Sequence, residues 1–316
     1  MSFATNVKNE ICHIHESKSE MIAELSAFFR NNAVYDGKKI DLLTENANIV
    51  KRIFLLIKEC YQVNIAITQK KNNNFAKNSL YLMTIDSKVE LILKDLSVYS
   101  ENGYYMVVPK DYITSSSDDA RAYLRGSFLA KGSINDPKTS RYHLEFSIDT
   151  IEEAEFVQSL LWRFELNAKV LNREKGYMVY LKEAEKISDF LRIIQANQAL
   201  LYFEDIRIFR DNMNMTNRLN NMEQANMDKI VGTALTQVKQ IRYIEETVGL
   251  DLLDEKTLEV AQYRLKYPES SIKELSNIIS LETGHPITKS GINHRFRKIK
   301  EFYQRLKEQD DISKIQ

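Results

Sequence analysis

Eight side chains between Lys289 and Lys300 have the types and spacing to bind a nucleic acid. Along a helix, at roughly 100° per residue, Ser290, Asn293, His294 and Arg297 share one side, opposite Ile292, Phe296, Ile299 and Tyr303. Arg makes paired hydrogen bonds to guanine and Asn to adenine, so these four residues are the base-reading candidates. Lys289, Arg295, Lys298 and Lys300 flank that side and are the phosphate candidates. Charge aimed at the backbone fixes register without reading sequence. This is the chemistry of recognition, with no bond made or broken.

Other constellations point to no reaction. Cys12-His13-x-His15 places three potential metal ligands within four residues, but no second cluster completes a tetrahedral site. A surface or partly buried turn is expected there, with no metal and no cofactor. No glycine-rich phosphate loop, nucleophile elbow or HExxH pair occurs. Trp162, Tyr104, Tyr105, Phe156 and Phe164 fall at core-like spacing and are expected inside. Lys+Arg and Asp+Glu balance at 44 each, so net charge does not announce a nucleic-acid partner. Two unpaired cysteines suggest a reducing compartment. No apolar run approaches the roughly 18 residues of a membrane span. The opening MSFATNVKNEI reaches Lys8, Asn9 and Glu10 before any apolar stretch. The expectation is a cytoplasmic, nucleoid-associated protein.

The elements that must position the basic helix can be read from caps. Asp254 can cap a helix over Glu255–Lys266, with Leu258, Ala261 and Leu265 as its apolar stripe. Ser271 and Glu274 form a capping box for a short helix carrying Ile272, Leu275, Ile278 and Ile279 inward. ETGHP supplies Gly284 for the stop, and Thr288 caps the helix that runs past Phe302. Short helix, tight turn and longer basic helix make a helix-turn-helix over 251–316. Charge separates within it: seven acidic and four basic residues from Asp251 to Thr283, then one acidic and seven basic from Gly284 to Lys307. The plainer alternative is a solvated basic helix packed on the rest of the chain.

Upstream, helix, hairpin, helix, hairpin, helix occurs twice, about one hundred residues apart. The first unit, 1–105, opens with a capping box at Ser17 and Glu20 and turns at Asp36-Gly37. A helix follows over Ala47–Tyr61, and KKNNNFAKN makes a polar turn between two strands. The second, 106–208, opens with a box from Ser116 to Asp119 and turns at NDPKTS. Such a duplication predicts antiparallel sheets under paired helices. Residues 209–250 are polar and helical in character, a connector with part of its length packed on a neighbour. Asn217, Arg218 and Asn226 within it could touch the DNA backbone or fasten the helix-turn-helix to the amino-terminal domain. Uncharged Asn-rich sequence favours the second.

YLRGSFLAKGSI resembles the LAGLIDADG helix of homing endonucleases, in which two such helices pack side by side. The resemblance implies a metal-binding acid at the eighth motif position. In Leu124–Gly132 that position is Lys131, and in Leu25–Ala33 it is Asn32. Neither is a carboxylate, so the cleavage chemistry is expected to be absent. Ala27 and Gly126 at the third position still allow close approach of the helices. A degenerate duplicated unit followed by a helix-turn-helix is similar to the WhiA family of bacterial DNA-binding regulators. The connector carries a matching signature at Asn217, Arg218, Glu223, Ala225, Asn226 and Lys229.

That resemblance implies an α+β chain whose helix-turn-helix is related to the promoter-reading part (region 4) of sigma factors. It implies a sequence-specific regulator linked to sporulation, or to cell division and chromosome segregation, and no enzyme. Its partners would be promoter DNA and, through the amino-terminal domain, another transcription factor or RNA polymerase. The competing readings are a metal-dependent endonuclease with unorthodox ligands, and a module whose amino-terminal domain makes the main DNA contacts.

Overall fold

Hydroxyl caps decide where most helices begin. The computed structural model describes residues 2–71, 79–139 and 141–313. Ser2 caps α1 (Phe3–Ile11), and the Ser17–Glu20 capping box opens α2 (Lys18–Asn32). The Asp36-Gly37 turn, with Gly37 at a left-handed φ of 91°, joins β1 (Ala33–Tyr35) to β2 (Ile40–Thr44). α3 (Ala47–Tyr61), β3 (Ala66–Lys71), β4 (Ser79–Ile85) and α4 (Val89–Asp95) complete the first repeat. Residues 72–78 of the expected KKNNNFAKN turn lie outside the described residues, as does Ser140 of NDPKTS.

The second repeat follows the same order. The Ser116–Asp119 box opens α5 (Ser117–Lys131), followed by β5 (Gly132–Ile134) and β6 (Leu144–Ile148). Next come α6 (Ile151–Arg163), β7 (Lys169–Asn172), β8 (Tyr177–Leu181) and α7 (Ala184–Ile193). The two antiparallel sheets run β1-β2-β4-β3 and β5-β6-β8-β7, which is one topology used twice.

The repeats meet along α2 and α5. A Cβ placed on Gly126 would stand 2.2 Å from the Glu24 backbone oxygen and 3.0 Å from the Ala27 Cβ, so glycine alone permits the approach. Beside this contact lies a buried ionic cluster that the sequence did not disclose. Arg125 and Arg52 each place Nε 2.9 Å from a Glu24 carboxylate oxygen, and both also hold Glu16. Burial works against the Glu24 carboxylate, but Arg52 and Arg125 outweigh it and hold its pKa below the ordinary value. Glu16 is pushed up to about 8 by burial and by the neighbouring Glu24. Buried charges are tolerated here because each has opposite charge and hydrogen bonds around it.

The aromatic expectation needs correction. Trp162, Tyr104 and Tyr105 are exposed, at 58%, 73% and 48%, while Phe156 and Phe164 are half-buried. Trp162 packs by its edge instead, donating Nε1–H to the Ala168 carbonyl at 3.0 Å.

The chain divides into two compact units at Asp211/Asn212. That point falls inside α8 (Asn197–Val248), a helix of 52 residues. Three more helices follow: α9 (Glu255–Lys266), α10 (Ile272–Thr283) and α11 (Lys289–Ser313). Among the described residues no helix is long and apolar enough to cross a membrane.

Candidate nucleic-acid interface

The second unit is a small core whose caps set the phase of α11. Asp254 opens α9 by accepting from the Thr257 N–H at 3.1 Å and the Thr257 hydroxyl at 2.9 Å. α10 starts on the reciprocal Ser271–Glu274 box, at 2.7 and 3.2 Å, and stops at Gly284 with φ 72°. The turn is then tied back to α10. The Ser276 hydroxyl donates to the Ile287 carbonyl, and the Ile287 N–H donates to the Ser280 hydroxyl at 3.0 Å. Thr288 accepts from the Gly291 N–H at 3.1 Å, which fixes where α11 begins and therefore which way each side chain faces.

Ile292, Phe296 and Ile299 of α11 are buried with Leu275 and Ile279 of α10, Val260 and Ala261 of α9, and Ile241 and Ile244 from the end of α8. The expected α9 stripe is corrected: Thr257, Val260, Ala261 and Arg264 go inward, while Leu258 and Leu265 stay half-buried. Arg264 was not foreseen at all. Its side chain is 1% exposed, donates to the Ser270 and Tyr267 carbonyls, and lays its guanidinium 5.3 Å from the Phe296 ring centre. It thereby satisfies the carbonyls after α9 and pins the middle of the recognition helix. The signal was a cation three residues beyond Ala261, on the face of α9 that Val260 and Ala261 bury.

With the core face fixed, Ser290, Asn293, His294 and Arg297 are all exposed, as are Lys289, Lys298 and Lys300. Two phosphate candidates are otherwise engaged. Arg295 is half-buried and donates to the Lys256 carbonyl and to Gly291 in its own helix, both at 3.1 Å. Lys298 pairs with Asp254 at 3.1 Å, both side chains about half exposed. The Asp254 carboxyl is held below its ordinary pKa, first by the Thr257 hydroxyl and further by Lys298. Lys289 and Lys300 have neither restraint.

The connector signature divides. Asn217, Arg218, Glu223, Ala225 and Asn226 lie in a stretch of α8, residues 211–229, in which every residue is exposed. The side-chain bonds of that stretch stay within the helix: Thr216 to the Asn212 carbonyl, and Gln224 to Asp228. Lys229, by contrast, lines a groove of about 740 Å³ together with Asn293, Arg297 and Lys300. Spacing alone could not bring it to the recognition helix, because that pairing is made by the core contact of Ile241 and Ile244.

At the degenerate motif, the Asn31 amide donates to Glu153 at 2.8 Å. Burial raises the Glu153 pKa, opposed by Arg30 and Asn31. Asn32 lines a polar cavity of about 790 Å³ with Lys8, Asn46 and Asn48. Burial pushes the Lys8 amine down to about 8. The motif positions themselves hold an amide, Asn32, and an amine, the half-buried Lys131, where divalent-metal chemistry wants carboxylates. The acids nearby are Glu45, which lines the same cavity as Asn32, and Glu153, which accepts from Asn31. Among the described residues no group of three His, Cys, Asp or Glu side chains could hold a metal ion. Cys12 in the CHxH stretch is buried, and burial pushes its thiol up to about 12, far from a thiolate ligand.

Comparison with known proteins agrees with this architecture. Residues 18–99 match the WhiA N-terminal LAGLIDADG-like domain, 120–214 the WhiA LAGLIDADG-like domain, and 216–303 the WhiA C-terminal HTH domain. A relative from Bacillus cytotoxicus, named "Probable cell division protein WhiA", is 43% identical over 99% of this chain and 100% of its own. One of the same name from Geobacillus sp. is 44% identical over 97% of both. The crystal structure of full-length WhiA from Thermatoga maritima superposes with a TM-score of 0.60 over 96% of this chain and 99% of that one. At 23% identity, that match speaks to the fold.

Proposed function

The chain belongs to the WhiA family, and from that premise we propose that it is a sequence-specific DNA-binding regulator that does not cut DNA. The carrying observation is the exposed face of α11, where Ser290, Asn293, His294 and Arg297 stand side by side behind a doubly tied turn. A helix presented this way enters the major groove by its first turns. Arg297 and Asn293 then have the fork geometry for guanine and adenine, while Lys289 and Lys300 meet phosphates. The relatives' name supports a role at genes of cell division, and the family resemblance extends this to chromosome segregation or sporulation.

The amino-terminal unit fits a protein partner better than a phosphate backbone. The outward sides of its sheets carry exposed Val34, Leu43 and Leu171 beside Asp41 and Glu145. Asp41 and Glu145 are paired there with Lys39 and Arg173, and Lys169 is exposed on the same side as Glu145. Apolar side chains thus stand among balanced charges, with no concentrated positive patch to draw DNA. On this reading promoter DNA is the partner of the second unit, and another transcription factor or RNA polymerase that of the first.

Mapping the protein's positions along the chromosome, with selection of bound duplexes from a random pool, tests the reading. Enrichment of one short motif, lost in Arg297→Ala, is expected. Sequence-specific cleavage of supercoiled DNA in Mg²⁺ that persists through stringent purification would overturn it.

A further inference from the structure

The groove between the end of α8 and α11 has its own chemistry. On one wall stand Lys229, Thr233 and Thr236, and on the other Arg297 and Lys300. No acidic residue is among those that line it. At its base is Gln237, only 8% exposed, whose Oε1 has no hydrogen-bond partner. A buried amide left without a partner is costly, so such a group marks a place where a ligand completes the hydrogen bonding. The orphan oxygen is an acceptor, as are phosphate oxygens, so it is the turned amide that fits. Nε2 then stands in that place with two N–H donors, and among the described residues the present orientation makes no side-chain hydrogen bond to lose. Cations on both walls, hydroxyls between them and an amide donor below describe a receptor for one phosphate group.

We infer that this groove seats a phosphate of the DNA backbone, with Lys229 and Gln237 of α8 as positioning residues for the recognition helix. The inference rests on the DNA-binding reading above and adds a second wall to it. Lys229 and Lys300 hold the strand from opposite sides, so α11 enters the major groove at one fixed depth while Arg297 reaches past the rim toward a base. Backbone anchoring by a neighbouring helix is how a recognition helix gains register that its own side chains cannot supply. The role also separates Lys229 from the remaining signature residues, which α8 holds on an open surface.

The test uses the full chain with two duplexes, one of random sequence and one selected from a random pool, and follows dissociation constants by anisotropy across a salt series. Lys229→Gln is expected to weaken both duplexes alike, by about eightfold at 0.1 M salt, and to lower the salt slope by about 0.9, the change for one phosphate contact. Gln237→Glu places a carboxylate at the base of the groove and is expected to weaken both at least tenfold. Gln237→Met, which keeps the packing, is expected to cost only a few-fold. An unchanged salt slope in a folded Lys229→Gln variant overturns the inference, as does equal behaviour of the two Gln237 variants. Displacement of DNA by millimolar inorganic phosphate at constant ionic strength, lost in Lys229→Gln, is expected, whereas inorganic phosphate that binds through Lys229 and leaves DNA affinity unchanged would reassign the groove to a free anion and also overturn it. Failure of the unsubstituted chain to bind either duplex sinks the DNA-binding reading itself and is read before any variant is made.

Discussion

Gly126→Ala is the sharpest probe of the helix pair. The new Cβ would stand 2.2 Å from the Glu24 carbonyl oxygen, where ordinary contact begins at 3.4 Å, so α2 and α5 must part by about 1.2 Å (3.4 − 2.2). The obstacle is backbone, so no rotamer change relieves it. Overpacking of this kind costs about 1–3 kcal/mol. The same separation stretches the 2.9 Å bond between Arg125 and Glu24 beyond hydrogen-bond reach. Losing a charged hydrogen bond in a buried place adds about 1.5–3 kcal/mol. Against this, Ala favours the helix over Gly by about 1 kcal/mol. The net is a loss of about 1.5–5 kcal/mol. The assay is urea denaturation followed by fluorescence of Trp162, the only tryptophan in the sequence and a reporter of the first unit alone. With a slope of about 2 kcal/mol per molar urea, the midpoint should fall by about 0.8–2.5 M. A midpoint that stays put or rises refutes the reasoning, because it means that α2 and α5 are not in backbone contact at Gly126.

Arg297→Ala should cost about 1–3 kcal/mol at the preferred base pair and relax specificity there, whereas Lys300→Gln should weaken all sequences and lower the salt slope by about one. If the two substitutions behave alike in a competition assay over single-base variants, the face assignment of α11 fails. Lys298→Gln should change the slope less than Lys300→Gln, because Asp254 already partners that ammonium. Arg264→Met should leave the Ser270 and Tyr267 carbonyls unpaired and destabilise the second unit by about 2–4 kcal/mol. Its melting and DNA affinity should fall together while the Trp162 transition stays unchanged. Lys8→Met tests the buried amine. The folded-state pKa of about 8 lies below the ordinary 10.5, so the folded chain binds fewer protons between those values and its stability rises with pH across that window. The variant should therefore be more stable by about 1–3 kcal/mol at pH 7, with the advantage shrinking as pH climbs from 8 to 10.5. A gain that is flat from pH 7 to 10.5 would refute the assignment.

Local chemistry was legible in the sequence because it acts over three or four residues. The capping boxes at Ser17, Ser116 and Ser271, the caps at Asp254 and Thr288, and the stop at Gly284 each need only neighbours along the chain, and each stands where it was expected. The same holds for the inward face of Ile292, Phe296 and Ile299, which follows from helical period and the hydrophobic effect. The repeat order and the nearness of Ala27 to Gly126 followed from duplication and side-chain size. What the sequence left open involves partners far apart in the chain. Arg125 finds Glu24 across 101 residues, and Arg295 turns to a carbonyl 39 residues away. Trp162 stays exposed because its indole meets the Ala168 carbonyl at the surface, a choice that spacing cannot express. Lys229 and Arg297 share one groove only because Ile241 and Ile244 dock α8 onto the core of the second unit. Caps and periods are set by the covalent neighbourhood, while buried charges and grooves are set by which surfaces the hydrophobic core brings together.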